Sequence, residues 1–281
     1  MARPLRIEYE GAFYHATARG NERKRIFFSS SDCQRFKEYL REAKEKYHFL
    51  LHGYVLMSNH YHLLMETPEG NMSRVMHFIN ASYTSHINRK HQRSGHLFQG
   101  RYKAILVDKD NYLLELSRYI HLNPVRAQIV SRPEDYAHSS YRFYILGEEQ
   151  NLVSRDLIWS MISSDPQSAA RRYREFVESM IGREAESPLK GAHGGLVLGG
   201  ERFVKEALIR VKEETLQHQD IAQRRALQTA WKKEEVIEAI CAHFHLSREA
   251  FVENPSTLRR KCITHFSEPN GVGPSQRMGA E

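Results

Sequence analysis

The stretch Ser58-Asn59-His60-Tyr61-His62-Leu63-Leu64-Met65-Glu66 sets two histidines on either side of a tyrosine, just after a turn pair and inside an otherwise apolar run. Successive side chains of a strand point to opposite faces, so His60 and His62 share one face and Tyr61, Leu63 and Met65 the other. Two imidazoles side by side are half of a metal site. They fit an ordinary solvent-facing pair equally well, and two residues alone do not decide between the readings. Downstream, Ser117-Arg118-Tyr119-Ile120-His121-Leu122-Asn123-Pro124 offers a tyrosine and an amide that can complete such a site.

Upstream of the histidines, Ala12 to Ala18 alternates and is rich in strand formers, then runs into the basic segment Arg19 to Arg25. Ser31-Asp32 reads as a capping pair for a helix to Tyr47, with Phe36, Tyr39, Leu40, Ala43 and Tyr47 at helical spacing. Phe49 to Met57 is a second strand, turned by Ser58-Asn59 into the histidine strand His60 to Glu66. A helix is expected from Met72 to about Asn88 with Val75, Ile79 and Tyr83 on one face, followed by the basic loop Arg89 to Gly95. Tyr102 to Val107 is a fourth strand, and Asp110 opens a helix carrying Tyr112, Leu116 and Tyr119.

The order strand, helix, strand, strand, helix, strand predicts an α+β, ferredoxin-like fold, an antiparallel sheet with two helices on one face. If Leu63 and Met65 pack under those helices, His60 and His62 point onto the other face. The helix opening at Asp110 can cover that face and deliver Tyr119 beside the histidines.

Composition fits this scale of architecture. The 281 residues are 41% hydrophobic and 10% aromatic, enough for one substantial domain and a smaller second one. No apolar run reaches the roughly 18 residues that span a bilayer, so no membrane partner is expected. Met-Ala-Arg-Pro-Leu-Arg lacks the apolar core of a signal peptide, which predicts a cytoplasmic location. Cys33, Cys241 and Cys262 are odd in number and unpaired in spacing, as expected of reduced structural thiols. The net charge is +7, with 22 Lys and Arg against 16 Asp and Glu in residues 1–150 and 19 against 18 in the rest. The basic surplus travels with the histidine motif and points to a polyanion, although modest positive charge also occurs on proteins that bind none.

Four segments carry a family resemblance: Tyr14-His15 to Gly20-Asn21, Tyr54 to Leu64, Gly95-His96-Leu97-Phe98-Gln99-Gly100-Arg101-Tyr102-Lys103, and Tyr119-Ile120-His121-Leu122-Asn123-Pro124-Val125-Arg126. In this order and spacing they resemble the REP-associated tyrosine transposase group of the single-tyrosine HUH transposases, over about the first half of the chain. The resemblance implies a DNA endonuclease and strand transferase that links itself covalently to a 5′ phosphate and leaves a free 3′ hydroxyl. It also implies a divalent metal held by His60 and His62, and single-stranded DNA near a hairpin as substrate.

The chemistry is consistent with elementary demands. A phosphodiester's negative charge repels nucleophiles, so cleavage needs a cation on the non-bridging oxygens and an attacking group in line. A tyrosine hydroxyl, with a pKa of about 10, attacks poorly unless it is helped to lose its proton, yet as a phenolate it leaves well when the reaction is reversed. Imidazole ligands suit Mn²⁺ better than Mg²⁺, so either ion is expected to serve. Tyr119 is the expected nucleophile; Tyr112, one heptad earlier, is its nearest rival, and any of the 14 tyrosines can equally be a half-buried core residue. Asn123, four residues after Tyr119, resembles the polar residue that completes the metal shell in this family. Pro124 disfavours the α conformation before it, so Asn123 can instead cap a new turn. His121 falls off that face and reads as structural.

Arg19, Arg23, Lys24, Arg25, Arg89, Lys90, Arg93, Arg101 and Lys103 flank the site and form a candidate track of phosphate contacts, or simply a solvated surface. Phe98, Tyr102 and His96 are candidates for stacking on unpaired bases. The expected organisation is a catalytic domain over residues 1–150, a helical extension over 151–182, a Gly- and Pro-rich linker over 183–200, a helical appendage over 201–265 and a disordered tail over 266–281. Glu234 to Glu249 is similar to the opening of the replication initiator's DNA-binding domain, but the recognition helix that should follow is missing. Two other functions are compatible with the residues: a rolling-circle nicking initiator, and a non-catalytic nucleic-acid-binding module, for which paired histidines have no use. Whether the protein is a monomer or a homodimer is not legible at this level.

Overall fold

A computed structural model describes residues 7–146, 152–183 and 186–215, with side chains of the last helix placed through residue 210. Strands β1 (Ala12–Arg19), β2 (Leu50–Met57), β3 (His60–Thr67), β4 (Lys103–Val107) and β5 (Val197–Leu198) form one sheet in the order β2-β3-β1-β4-β5. The first four are antiparallel and reproduce the ferredoxin-like order, so the α+β fold is as expected. β5 pairs parallel to β4, which makes the sheet mixed. Residues 183–200, expected as a linker, thus supply a strand whose Val197 and Leu198 are fully buried. Their Gly and Pro content signals turns, and it masks a strand only two residues long.

Helices α1 (Ser30–Tyr47) and α2 (Met72–Lys90) cover one face. The α1 N-cap is Ser29, not the Ser31-Asp32 pair: Asp32 is the N3 residue of a capping box and accepts from the Ser29 and Phe28 backbone N–H groups. Tyr61 points to this side, packs on Phe36 with ring centroids 4.9 Å apart, and donates to Asn80 Oδ1 at 2.6 Å. The two-residue Ser58-Asn59 turn pairs Met57 with His60 and so fixes which face each β3 residue takes.

The opposite face lies under α3 (Lys109–Arg126), which crosses β2 and β3. α3 continues through Pro124 to Arg126, so Asn123 is a helical residue and not the cap of a new turn. Pro124 sits in the last turn, where its missing N–H removes one bond, and Asn123 Nδ2 adds one by donating to Tyr119 O at 3.1 Å.

Outside α3 lie the short helices α4 (Tyr141–Leu146), α5 (Asp156–Ile162) and α6 (Pro166–Glu178). Tyr173 of α6 and Ser140 clamp α3 through His121: His121 Nδ1 is 2.7 Å from Tyr173 Oη, its Nε2 is 2.8 Å from Ser140 Oγ, and Tyr173 Oη donates to Ser117 Oγ at 3.0 Å. All four residues are fully buried, and every polar atom in the cluster has a partner. His121 is therefore structural, as its position in the helix implied. The last described element, α7 (Glu201–Thr215), begins the expected appendage; the rest of it and the tail over 266–281 lie outside the described residues.

Candidate active site

Strand register builds the site. β1 pairs with β3 so that Thr17 lies opposite His62 and Arg19 opposite His60, while Thr17 also lies opposite Lys103 on β4. Paired residues point to the same side of a sheet, so His15, Thr17, Arg19, His60, His62 and Lys103 share the α3 face. Tyr119 completes it from above. Its ring meets His62 edge to face at a centroid distance of 5.9 Å and His15 at 6.5 Å, and the Arg126 guanidinium lies 5.1 Å from the Tyr119 ring centroid.

The histidines are graded in burial. His15 is fully buried, His62 is 7% exposed, and His60 is half-buried at the rim. His60 and His62 have ring centroids 5.0 Å apart. His60 Nδ1 is 2.6 Å from Asn59 Oδ1, whose amide is oriented by Nδ2 donating to Arg23 O at 3.2 Å. Nδ1 of His60 thus carries the proton and Nε2 the lone pair. Burial pushes the His15 and His60 imidazoles down to about 4, with the Arg19 charge adding to the effect on His60. His62 is held well below the usual imidazole range by burial and then by His15, His60 and Arg19. All three rings are therefore neutral at pH 7, the form in which imidazole ligates a metal.

That donor chemistry fits a divalent cation. Two neutral imidazoles share one sheet face, His60 at its rim and His62 buried beside it, and Asn123, with its Nδ2 turned back to Tyr119 O, keeps Oδ1 as an oxygen donor. Among the described residues no three His, Cys, Asp or Glu side chains converge on one point. Phosphate oxygens and water would have to supply the remaining ligands, which suits a site that acts on a phosphodiester.

Residues 8–123 match the profile of the IS200-like transposases. Over this stretch the chain is similar to the IS200-like transposases. The match runs from just before β1 to Asn123, so it takes in the three histidines, Tyr119 and Asn123, and stops short of Arg126. A relative from Haemophilus influenzae, named as a REP-associated tyrosine transposase, is 24% identical over 143 residues, which are 47% of this chain and 81% of the relative. A solved REP-associated tyrosine transposase bound to a REP hairpin is 16% identical with a TM-score of 0.46, covering 56% of this chain and 96% of that one. A solved transposase from Deinococcus radiodurans R1 is also 16% identical, with a TM-score of 0.31 over 45% of this chain and 92% of its own.

Around the site the basic residues divide. Arg19 and Lys103 are exposed on the site's own face, and the loop bearing Arg101 is tied to the end of β1 by Gln99 N donating to Arg19 O at 2.8 Å. Arg23, Lys24 and Arg25 follow β1, where a Cβ at Gly20 would collide with Lys24 O, so glycine is what lets the chain fold back there. Lys24 is paired with Glu22 at 2.6 Å. Arg89 and Lys90 belong to the last turn of α2 and not to a loop; Lys90 is 2.5 Å from the buried Asp32 carboxylate, and the Arg93 guanidinium lies 5.8 Å from the Phe28 ring centroid. Phe98 and Tyr102 are each only 8% exposed, Phe98 packing against Tyr61, so of the three stacking candidates only His96 is exposed. His15 and Thr17 also belong to the site; both lie in the first segment that carries the resemblance, but only the β1–β3 register shows that they stand beside His62.

Proposed function

We propose that this protein is a transposase, a metal-dependent single-stranded DNA endonuclease and strand transferase that works through a 5′-phosphotyrosine on Tyr119, on DNA flanked by a hairpin. The observation that carries the reading is the Tyr119 ring set edge-on against His62, on a sheet face that also presents Arg19 and Lys103. His60, His62 and Asn123 would hold Mg²⁺ or Mn²⁺. When bound, the ion supplies positive charge at the non-bridging oxygens of the scissile phosphate.

The protein's own groups do the rest. Arg19 and Lys103 draw the backbone phosphates onto the sheet face, and α3 fixes Tyr119 above it. The Tyr119 oxygen attacks phosphorus and loses its proton; the Oη–P bond forms as the P–O3′ bond breaks, and the departing 3′ oxygen takes up a proton. The exchange of one phosphodiester for another conserves the bond, so a 3′ hydroxyl attacking phosphotyrosine reverses it and joins strands. The His121 cluster packs α3 on its own sheet, which supports a reading in which Tyr119 serves the site of the same chain. No described helix is long and apolar enough to cross a membrane.

Incubating the protein with labelled hairpin DNA and Mn²⁺ and resolving it on a denaturing gel tests the reading. A covalent adduct is expected, lost on chelation. Its absence with hairpins drawn from the DNA flanking the coding gene would overturn the catalytic assignment.

A further inference from the structure

His15 lies behind His62, with its Nε2 2.8 Å from His62 Nδ1. The ring is fully buried, and its second nitrogen, Nδ1, has no hydrogen-bond partner among the described residues. A buried imidazole with one nitrogen unpaired costs the fold stability that an apolar ring of similar shape would not. Phe13, two residues earlier on the same strand face, shows that the sheet accepts such a ring. The cost calls for a return elsewhere, and among the described residues the one polar contact of His15 is with His62.

The hydrogen bond between the two rings can run either way, and the directions are not equivalent. If His15 Nε2–H donates, His62 must carry its own proton on Nε2 and has no lone pair left for a cation. If His62 Nδ1–H donates, Nε2 keeps its lone pair, matching His60, whose Nδ1 proton is taken by Asn59 Oδ1. We infer that His15 is the positioning residue for His62: it accepts the Nδ1 proton, holds the ring's angle, and so keeps Nε2 as a metal donor. Asn59 and His15 then play the same part for the two ligands, one at the exposed rim and one in the core. This rests on the proposed metal role of His60 and His62.

The test is metal binding by the DNA-free protein. Mn²⁺ binding followed by loss of the free-ion paramagnetic resonance signal is expected in the wild type and abolished in the His60→Ala, His62→Ala double variant. His15→Phe keeps the ring's shape and is expected to melt at the same or a higher temperature while its Mn²⁺ affinity falls about 10- to 100-fold. His15→Gln, which restores an acceptor, is expected to recover most of that loss. Side-chain ¹H–¹⁵N correlation spectra of the Zn²⁺-loaded wild type should show His62 protonated on Nδ1 and metal-shifted on Nε2. Unchanged affinity in both His15 variants, or a proton on His62 Nε2, overturns the role of His15 and leaves the metal site standing. Wild-type protein that binds no Mn²⁺, or binding that survives the double alanine variant, removes the metal reading and the His15 inference together.

Discussion

Tyr119 on α3 and His62 on β3 meet with their rings nearly perpendicular, 5.9 Å apart, although they lie on elements joined by a helix and a further strand. This contact makes the nucleophile separable from its rivals. Tyr119→Phe keeps the ring against His62 and deletes only the oxygen that attacks phosphorus, so hairpin binding should be unchanged and the covalent adduct absent. Tyr112→Phe, at the N-terminal end of the same helix, should still form the adduct. Mass spectrometry of the trapped species should place the nucleotide on the peptide containing Tyr119, and a nucleotide on Tyr112 or Tyr61 would refute the assignment.

His60→Ala and His62→Ala should each abolish cleavage supported by Mn²⁺ while leaving most DNA affinity, because that affinity is chiefly electrostatic. The two are not equivalent for the fold. His60 is at the rim and its removal should be nearly neutral, whereas removing His62 also strips His15 of its hydrogen-bonding partner. Equal melting temperatures for the two variants would argue against the buried pairing.

Much of this site is legible in the amino-acid sequence. Period-two alternation in His60 to Glu66 separates the histidines from Tyr61, and helical spacing places Asn123 a turn beyond Tyr119. Strand register is not legible. Nothing local to Ala12–Arg19 says that Thr17 faces His62, so His15 is marked only as part of a resembling segment and carries no role there. Burial is equally hidden: Phe98 and Tyr102, in a loop rich in Gly and Arg, give no sign that the core takes them. The pairing of Lys90 with Asp32 joins residues 58 positions apart, which their local sequence cannot reveal.

The buried cluster that clamps α3 yields a stability test. Tyr173→Phe removes one hydroxyl and leaves His121 Nδ1 and Ser117 Oγ without that partner, which should cost about 1–3 kcal/mol in chemical denaturation. Because α3 carries Tyr119, adduct formation should slow as well. A variant as stable as the wild type would show that the cluster does not hold the helix.

Stability should also fall on mild acidification. Burial lowers His15 to about 4 and His121 to about 3, so the folded state stays unprotonated at pH values where unfolded histidine, near 6.5, takes up a proton. The stabilising contribution is complete above about pH 6.5 and is lost progressively as pH falls toward the folded values. Denaturation midpoints at pH 7.5 and pH 5 should differ clearly, with proton uptake on unfolding at pH 5. Identical midpoints would mean that these rings reach solvent in the folded protein.

The basic residues make unequal claims on DNA, and salt dependence separates them. Each phosphate neutralised on a single strand contributes about −0.7 to the slope of log affinity against log salt. Arg19 and Lys103 stand on the site's face, so replacing both with neutral residues should flatten the slope by about 1.4. Lys90 provides the contrast. Its ammonium lies 2.5 Å from Asp32, whose side chain is wholly buried, and it also donates to Ser31 Oγ. Lys90→Met should leave the salt slope unchanged and destabilise the fold by about 1–3 kcal/mol, because the Asp32 carboxylate loses its cation while remaining buried. Titrating both variants with a fluorescent single strand across a salt series decides the matter: a slope change in Lys90→Met, or none in the Arg19 and Lys103 double variant, would move the DNA path away from the sheet face and toward the end of α2.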